Sequence, residues 1–276
     1  MGKPYWLTRY QVDETMSDFA EMAQRLRNAY RAGPVAPLRD GLSPVDVDGA
    51  YEVQSINTAH WLGQGRRIVG RKIGLTAKSV QQQLGVDRPD FGVLFADMQL
   101  EDGGTLPSEH LLQPKVEAEV AIILETDLPS TETTYNDVLR AAAWAVPALE
   151  IVDSRIADWK ITFADTVADN ASSAFFVLGK ERISLKGLDL RTCGMAMEFD
   201  GEVVSHGAGV ACLGHPLEAA AWLARTLAER GEPLKAGDVV LTGALGPMVP
   251  LRPGTYITAS IGGLGTVGFT YSERSS

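Results

Sequence analysis

The chain has 276 residues, 45% hydrophobic and 22% charged, with a formal net charge of −10 at pH 7. That length holds one large domain, or one domain plus a helical extension, with a substantial core. The acidic balance argues against nucleic acid or an anionic membrane as partner, because polyanion binding needs a basic surface. The opening Met1-Gly2-Lys3-Pro4-Tyr5-Trp6 leads into polar residues without the apolar stretch of a secretory signal. No run approaches the roughly 18 apolar residues of a membrane span. Cys193 and Cys212 form neither C-x-x-C nor a disulfide framework. A cytoplasmic protein with reduced core cysteines is expected.

Between residues 14 and 30, Met16, Phe19, Ala23, Leu26 and Tyr30 recur at steps of three and four, which defines one inward helix face. Arg31-Ala32-Gly33-Pro34 ends it. A second helix is expected over 47–62, with Val53 and Ile56 inward and Gly63 as its stop. Residues 1–66 therefore read as an N-terminal helical region. From Arg67 the texture changes: 67–73 reads as a strand that runs into a turn at Gly74-Leu75-Thr76. A short helix over 78–85 and the loop Asp87-Arg88-Pro89-Asp90-Phe91-Gly92 follow. Loops shaped by glycine and proline commonly carry function.

Lys115–Leu124 reads as a strand. Side chains alternate along it, so Glu117 and Glu119 share one face while Val116, Ala118, Val120, Ile122 and Leu124 share the other. Glu150 sits in a second apolar strand, Val146-Pro147-Ala148-Leu149-Glu150-Ile151-Val152, where a glutamate is rarely buried unless paired. E-x-E by spacing alone usually marks a solvated sheet face. Glu150 lowers those odds. Three carboxylates within about 4 Å repel by roughly 4 kcal/mol per pair at an effective dielectric near 20, and a divalent cation turns that into attraction. All-oxygen ligation favours Mg²⁺ or Mn²⁺ over zinc and leaves about three of six octahedral positions for water and substrate.

A short alanine-rich helix over 135–144 is expected between these strands. Strands follow at 175–178 and 194–199, and Asp200-Gly201 is a hairpin turn signal. A helix over 216–230 has Pro216 in its first turn, Gly231 as its stop, and Leu217, Ala220, Ala224 and Leu227 inward. Residues 238–271 read as short strands and glycine turns. Many short strands with few helices give an α+β fold built on a curled mixed β-sheet.

Some motifs fall away. Gly263-Leu264-Gly265-Thr266-Val267-Gly268 fits G-x-G-x-x-G, but too little chain follows to complete a nucleotide-binding unit. Asn170-Ala171-Ser172 is a glycosylation sequon without a secretory signal to use it. His60, His110, His206 and His215 lack metal-ligand spacing, and surface or capping roles are expected for His60 and His215.

A set of motifs in combination carries a resemblance from about residue 50 onward. They are Gly70-Arg71-Lys72-Ile73-Gly74-Leu75-Thr76, Val80-Gln81-Gln82-Gln83-Leu84-Gly85-Val86-Asp87, Pro89-Asp90-Phe91-Gly92, Glu117-Ala118-Glu119 and Pro147-Ala148-Leu149-Glu150. Asp165-Thr166-Val167-Ala168-Asp169-Asn170-Ala171-Ser172 and Leu241-Thr242-Gly243-Ala244-Leu245-Gly246-Pro247 complete the set. Together they resemble the 2-keto-4-pentenoate (2-hydroxypenta-2,4-dienoate) hydratases of the fumarylacetoacetate hydrolase superfamily.

The resemblance implies that residues 67–276 are a catalytic domain of that type. It implies an Mg²⁺ or Mn²⁺ triad at Glu117, Glu119 and Glu150, and an acid/base pair at Lys72 and Asp90. Thr242, Gly243, Ala244 and Leu245 would line the substrate pocket, with Ser172 or Ser173 nearby. Without the resemblance, an exposed strand lysine, an ordinary Pro-Asp turn and a plain glycine turn are the favoured readings of Lys72, Asp90 and 242–246. The implied activity is a hydro-lyase acting on 2-hydroxypenta-2,4-dienoate in meta-cleavage degradation of aromatic compounds. The family also implies a homo-oligomer, pentameric or decameric, with a pathway aldolase or decarboxylase as partner. The alternatives are the sister 2-oxo-3-hexenedioate (4-oxalocrotonate) decarboxylase, a C–C bond hydrolase of the superfamily, and a non-catalytic metal-binding assembly protein.

Overall fold

A computed structural model describes residues 14–83 and 86–273. The segment 1–13, read as free of a signal, and the expected helix end at Leu84-Gly85 lie outside the described residues. Helices α1 (Glu14–Ala32) and α2 (Val47–Gly63) lead into β1 (Ile68–Gly74), α3 (Lys78–Gln83) and β2 (Asp90–Phe95). Then come β3 (Gln99–Leu100), β4 (Thr105–Leu106), β5 (Lys115–Leu124), α4 (Tyr135–Ala141), β6 (Ala142–Val152), α5 (Phe163–Ala168) and β7 (Ser173–Leu178). The C-terminal part holds β8 (Gly194–Phe199), β9 (Glu202–Ala208), α6 (Pro216–Glu229), β10 (Val239–Ala244), β11 (Val249–Pro250), β12 (Thr255–Ile261) and β13 (Gly265–Tyr271).

One sheet runs β2-β1-β10-β5-β6-β7-β3, with β11 also against β5, and a second runs β4-β13-β12-β8-β9. The β1–β10 pair is parallel while β1–β2, β10–β5, β5–β6 and β6–β7 are antiparallel, so the large sheet is mixed as expected. Strand β5 lies near its middle. Val116, Ala118, Val120, Ile122 and Leu124 enter the main core with the helices. On the opposite face, Ala121 and Ile123 join a second apolar cluster with Val146, Ala148, Phe176 and Leu241. The face that begins with Glu117 and Glu119 is therefore a second buried layer and not a solvated one. Each Val, Leu or Ile so buried contributes about 1.5–3 kcal/mol, and a one-residue slip of β5 would exchange carboxylates for valines.

Local expectations hold with identifiable exceptions. In α1, Ala23 and Leu26 are buried with Met22 and Ala29, but Tyr30 is 49% exposed, its ring 5.5 Å from the Arg155 guanidinium. Helix α2 runs through Gly63, and the left-handed stop falls at Gly65 instead. Helix α4 ends at Ala141, because Trp144 pairs with Ile123 and Ala145 with Ile183; sheet pairing overrides the helix preference of the alanines. The loop expected over 87–92 gives way to β2 at Asp90, which pairs with Gly74. Asp200 and Gly201 both take positive φ, as a type I′ hairpin requires. His215 caps α6 by accepting the Leu217 N–H at 3.0 Å. The rejected glycine motif forms the β12–β13 turn and the start of β13. Both cysteines are buried and free.

Candidate metal centre and active site

Strand register assembles the acidic group. Glu117 and Glu150 stand directly opposite each other in the β5–β6 pair, and Glu119 lies two residues along on the same face. One carboxylate oxygen from each lies within 4.8 Å of the others. Glu119 and Glu150 are fully buried and Glu117 is partly exposed, so the cluster opens on the Glu117 side. Glu119 Oε2 accepts the Gly243 N–H at 2.7 Å. Oε1 of Glu119 and Oε1 of Glu150 are buried without a hydrogen-bond partner. Unsatisfied buried carboxylate oxygens converging on one point fit a hard divalent cation, and an oxygen-only donor set suits one of the Mg²⁺ type.

Lys72 and Asp90 arrive from the neighbouring strands β1 and β2. Lys72 Nζ is 3.2 Å from Glu150 Oε2 and donates to the Ala171 carbonyl at 2.9 Å. A Cβ placed on Gly74 would lie 2.2 Å from Asp90 Oδ1 and 3.5 Å from Lys72 Nζ, so glycine is what leaves room for both groups. Asp90 Oδ1 is buried and has no hydrogen-bond partner. Burial pushes Asp90 up to about 6 against the pull of Lys72. Burial likewise raises Glu150 to about 7 against the same lysine, with Glu117 adding to the rise. Glu119 is driven well above the usual carboxylate range, first by burial and then by Glu150 and Glu117. Burial opposes the charge on Lys72, but the surrounding carboxylates, Glu150 foremost, together outweigh it and raise its pKa.

The segment 242–245 divides by role. Gly243 has φ +106, and a Cβ there would sit 2.4 Å from the Thr76 side chain, so only glycine aims this N–H at Glu119. The fully buried Thr242 hydroxyl donates to the Val120 carbonyl at 2.8 Å and ties β10 to β5 across an irregular register. Leu245 lies in the core and its N–H donates to Ala118. Ala244 is half-buried, next to the Cys212 thiol that donates to the Gly243 carbonyl at 2.9 Å. The Ser173 hydroxyl, buried without a hydrogen-bond partner, lies beside the raised Glu150 carboxyl and opposes that rise less than Lys72 does. Ser172 Oγ turns toward α5, 3.4 Å from Thr166 Oγ1.

Sequence reasoning missed three supports. Gln54 of α2 donates to the carbonyls of Phe91 at 3.0 Å and Val167 at 2.9 Å. Tyr51 stacks on Phe91 with ring centroids 4.5 Å apart, so α2 holds the start of β2 where Asp90 sits. Arg155, buried, binds the Asp169 carboxylate and the Ser173 carbonyl behind the turn that carries Ala171. The one available signal for the last was a cluster of short polar residues, Asp169-Asn170-Ala171-Ser172-Ser173, between a helix and a strand.

The family model described as fumarylacetoacetate (FAA) hydrolase C-terminal matches residues 71–270, which include all five charged site residues. The chain belongs to the fumarylacetoacetate hydrolase family. Within that family it is 58% identical over 234 residues to "2-keto-4-pentenoate hydratase 2" of Dechloromonas aromatica (strain RCB), covering 85% of this chain and 89% of that protein. It is 56% identical over 248 residues to the 2-keto-4-pentenoate hydratase of Paraburkholderia xenovorans (strain LB400), covering 90% and 92%. The solved 4-oxalocrotonate decarboxylase from Pseudomonas putida G7, complexed with magnesium and adipate, superimposes with a TM-score of 0.89 at 36% identity, over 95% of this chain and 100% of that one. The curled mixed sheet is thus the architecture of the fumarylacetoacetate hydrolase family.

Proposed function

We propose that the chain is a metal-dependent hydro-lyase that adds water to 2-hydroxypenta-2,4-dienoate to give 4-hydroxy-2-oxopentanoate. The observation that carries this reading is that Lys72, ion-paired to Glu150, and Asp90 are both buried beside three clustered carboxylates, in a chain 56–58% identical to named hydratases and 36% identical to the decarboxylase. Glu117, Glu119 and Glu150 would hold Mg²⁺ or Mn²⁺, which supplies a Lewis acid for an α-oxygenated carboxylate. Gly243 orients Glu119, and Lys72 orients Glu150.

Asp90 and Lys72 handle the protons. Overall, the 2-hydroxyl proton is lost and C5 gains one, leaving a 2-oxo-3-enoate whose C4 is electrophilic. The oxygen of water then joins C4, and a proton is delivered to C3. Asp90, with a pKa near 6 and a free Oδ1, exchanges protons close to neutrality. Lys72, held cationic, donates toward negative charge as it develops. Substrate contact is assigned to Gly243, Ala244 and Ser173, while Thr242, Leu245 and Ser172 act from behind: Thr242 holds β10 to β5, Leu245 packs in the core and Ser172 faces α5.

The test gives purified protein the dienoate with Mg²⁺, follows loss of its ultraviolet absorbance, and identifies the product by NMR. Release of carbon dioxide from 2-oxo-3-hexenedioate without hydration of the dienoate would replace this reading with the decarboxylase. Failure to turn over either acid with Mg²⁺ or Mn²⁺ would favour a non-catalytic assembly protein. Homo-oligomeric assembly, pentameric or decameric, association with a pathway aldolase or decarboxylase, and a cytoplasmic location belong to the same proposal. Light scattering, co-purification and fractionation read these. Among the described residues no helix is long and apolar enough to cross a membrane.

A further inference from the structure

Asn170, Ala171 and Ser172 take φ of 55°, 49° and 56°, three successive non-glycine residues in the left-handed region. Each such residue costs about 1–3 kcal/mol, and a run of them persists only where the surroundings over-determine it. Those surroundings are specific. The Asn170 carboxamide closes on a single residue of β2: Oδ1 accepts the Val93 N–H at 2.7 Å and Nδ2 donates to the Val93 carbonyl at 3.0 Å. Strand β2 is an edge of the large sheet, so this side chain takes the place that a neighbouring strand would fill. Gly92 permits the approach, since a Cβ there would lie 2.5 Å from the Asn170 carbonyl oxygen. From behind, the Asp153 N–H donates to the Ser172 carbonyl at 2.7 Å and Arg155 donates to the Ser173 carbonyl at 3.0 Å.

The product of this strained turn is one carbonyl aimed at one ammonium, Ala171 O to Lys72 Nζ at 2.9 Å. Lys72 lies on β1, Asp90 on β2, and the clamp joins β2 to the turn. We propose that Asn170 is a positioning residue: by clamping the left-handed turn onto β2, it fixes the direction of the Lys72 ammonium relative to Asp90 and Glu150. The inference rests on the role given to Lys72 under the proposed function.

Asn170→Gly removes the carboxamide while leaving the left-handed backbone at low cost. The expected result is a fall in kcat of about tenfold or more, toward the 10² that a misplacement of about 1 Å costs. KM should stay within about threefold, and the Mg²⁺ affinity measured by calorimetry should be unchanged. A crystal structure of the variant should show the Ala171 carbonyl beyond hydrogen-bond distance of Lys72 Nζ. Asn170→Asp keeps the acceptor for Val93 N–H but sets a carboxylate against the Val93 carbonyl. It should lose kcat in the same way, and it carries the test if the glycine variant does not fold. Wild-type kcat in Asn170→Gly, with only a lower Tm, would overturn the clamp. Lys72→Met run in parallel separates the levels. If it is inactive while Asn170→Gly is fully active, the clamp alone fails. If Lys72→Met is itself fully active, the assignment of Lys72 fails. If the wild type hydrates no dienoate, the Ala171–Lys72 separation in the variant structure still decides the clamp.

Discussion

Replacing Glu119 by glutamine alters one charge and almost no volume at a fully buried position. The amide oxygen still accepts the Gly243 N–H, so the fold is expected to persist. At the 4.8 Å limit of the cluster, each carboxylate pair repels by roughly 3.5 kcal/mol at an effective dielectric of about 20. Without metal, the substitution relieves contacts with both Glu117 and Glu150. Protonation already relieves part of that strain in the wild type, since the carboxyls of Glu119 and Glu150 are raised. The metal-free variant should therefore be at least as heat-stable as the wild type. With metal, the lost ligand charge should weaken Mg²⁺ binding by about 10² or more, the equivalent of roughly 3 kcal/mol. Thermal unfolding with and without Mg²⁺ reads both effects. At 100 times its dissociation constant, Mg²⁺ stabilises the wild type by about 2.7 kcal/mol, which for a chain of this size is about 5 °C. The variant should show almost none of that shift at the same concentration. An undiminished Mg²⁺ shift, or a metal-free variant that unfolds well below the wild type, would refute the reasoning.

Lys72→Ala should still bind Mg²⁺ and lose turnover by about 10² or more, the scale of general acid–base catalysis; steady-state kinetics at saturating metal checks it. Gly74→Ala places a methyl 2.2 Å from Asp90 Oδ1, so turnover should fall while the Mg²⁺-dependent rise in Tm remains. For pH, the metal-free folded protein keeps a proton on Glu150 up to about 7, where the unfolded chain releases it near 4.5. That contribution to stability is complete below about 4.5 and is lost as pH rises through 7, so chelator-treated protein should be less stable at pH 8 than at pH 5. Mg²⁺ must displace this proton and any held by the raised Glu119, so its apparent affinity should weaken by at least about tenfold per pH unit as pH falls below 7. Calorimetric titrations at pH 6 and 7.5 that agree would remove this coupling.

Much of the acidic centre was legible in the chain itself. A strand alternates with period two, so Glu117 and Glu119 had to share a face, and an apolar run around Glu150 demanded a partner for its charge. The hairpin at Asp200-Gly201 and the capped helix before Gly231 were equally local matters. Recurring motifs in combination, more than any one of them, pointed to the hydratase-like activity. Tertiary structure alone decided the rest. Pairing of β5 with β6 set Glu117 against Glu150, and the parallel β1–β10 contact with the antiparallel β1–β2 contact brought Lys72 and Asp90 beside them. The second apolar layer beyond Glu119, the space left at Gly74 and the left-handed turn under Ala171 come from contacts between residues distant in the chain. Periodicity reports which way a side chain points along its own strand. Which strand lies next to it, and in what register, is settled only when the distant surfaces are buried together.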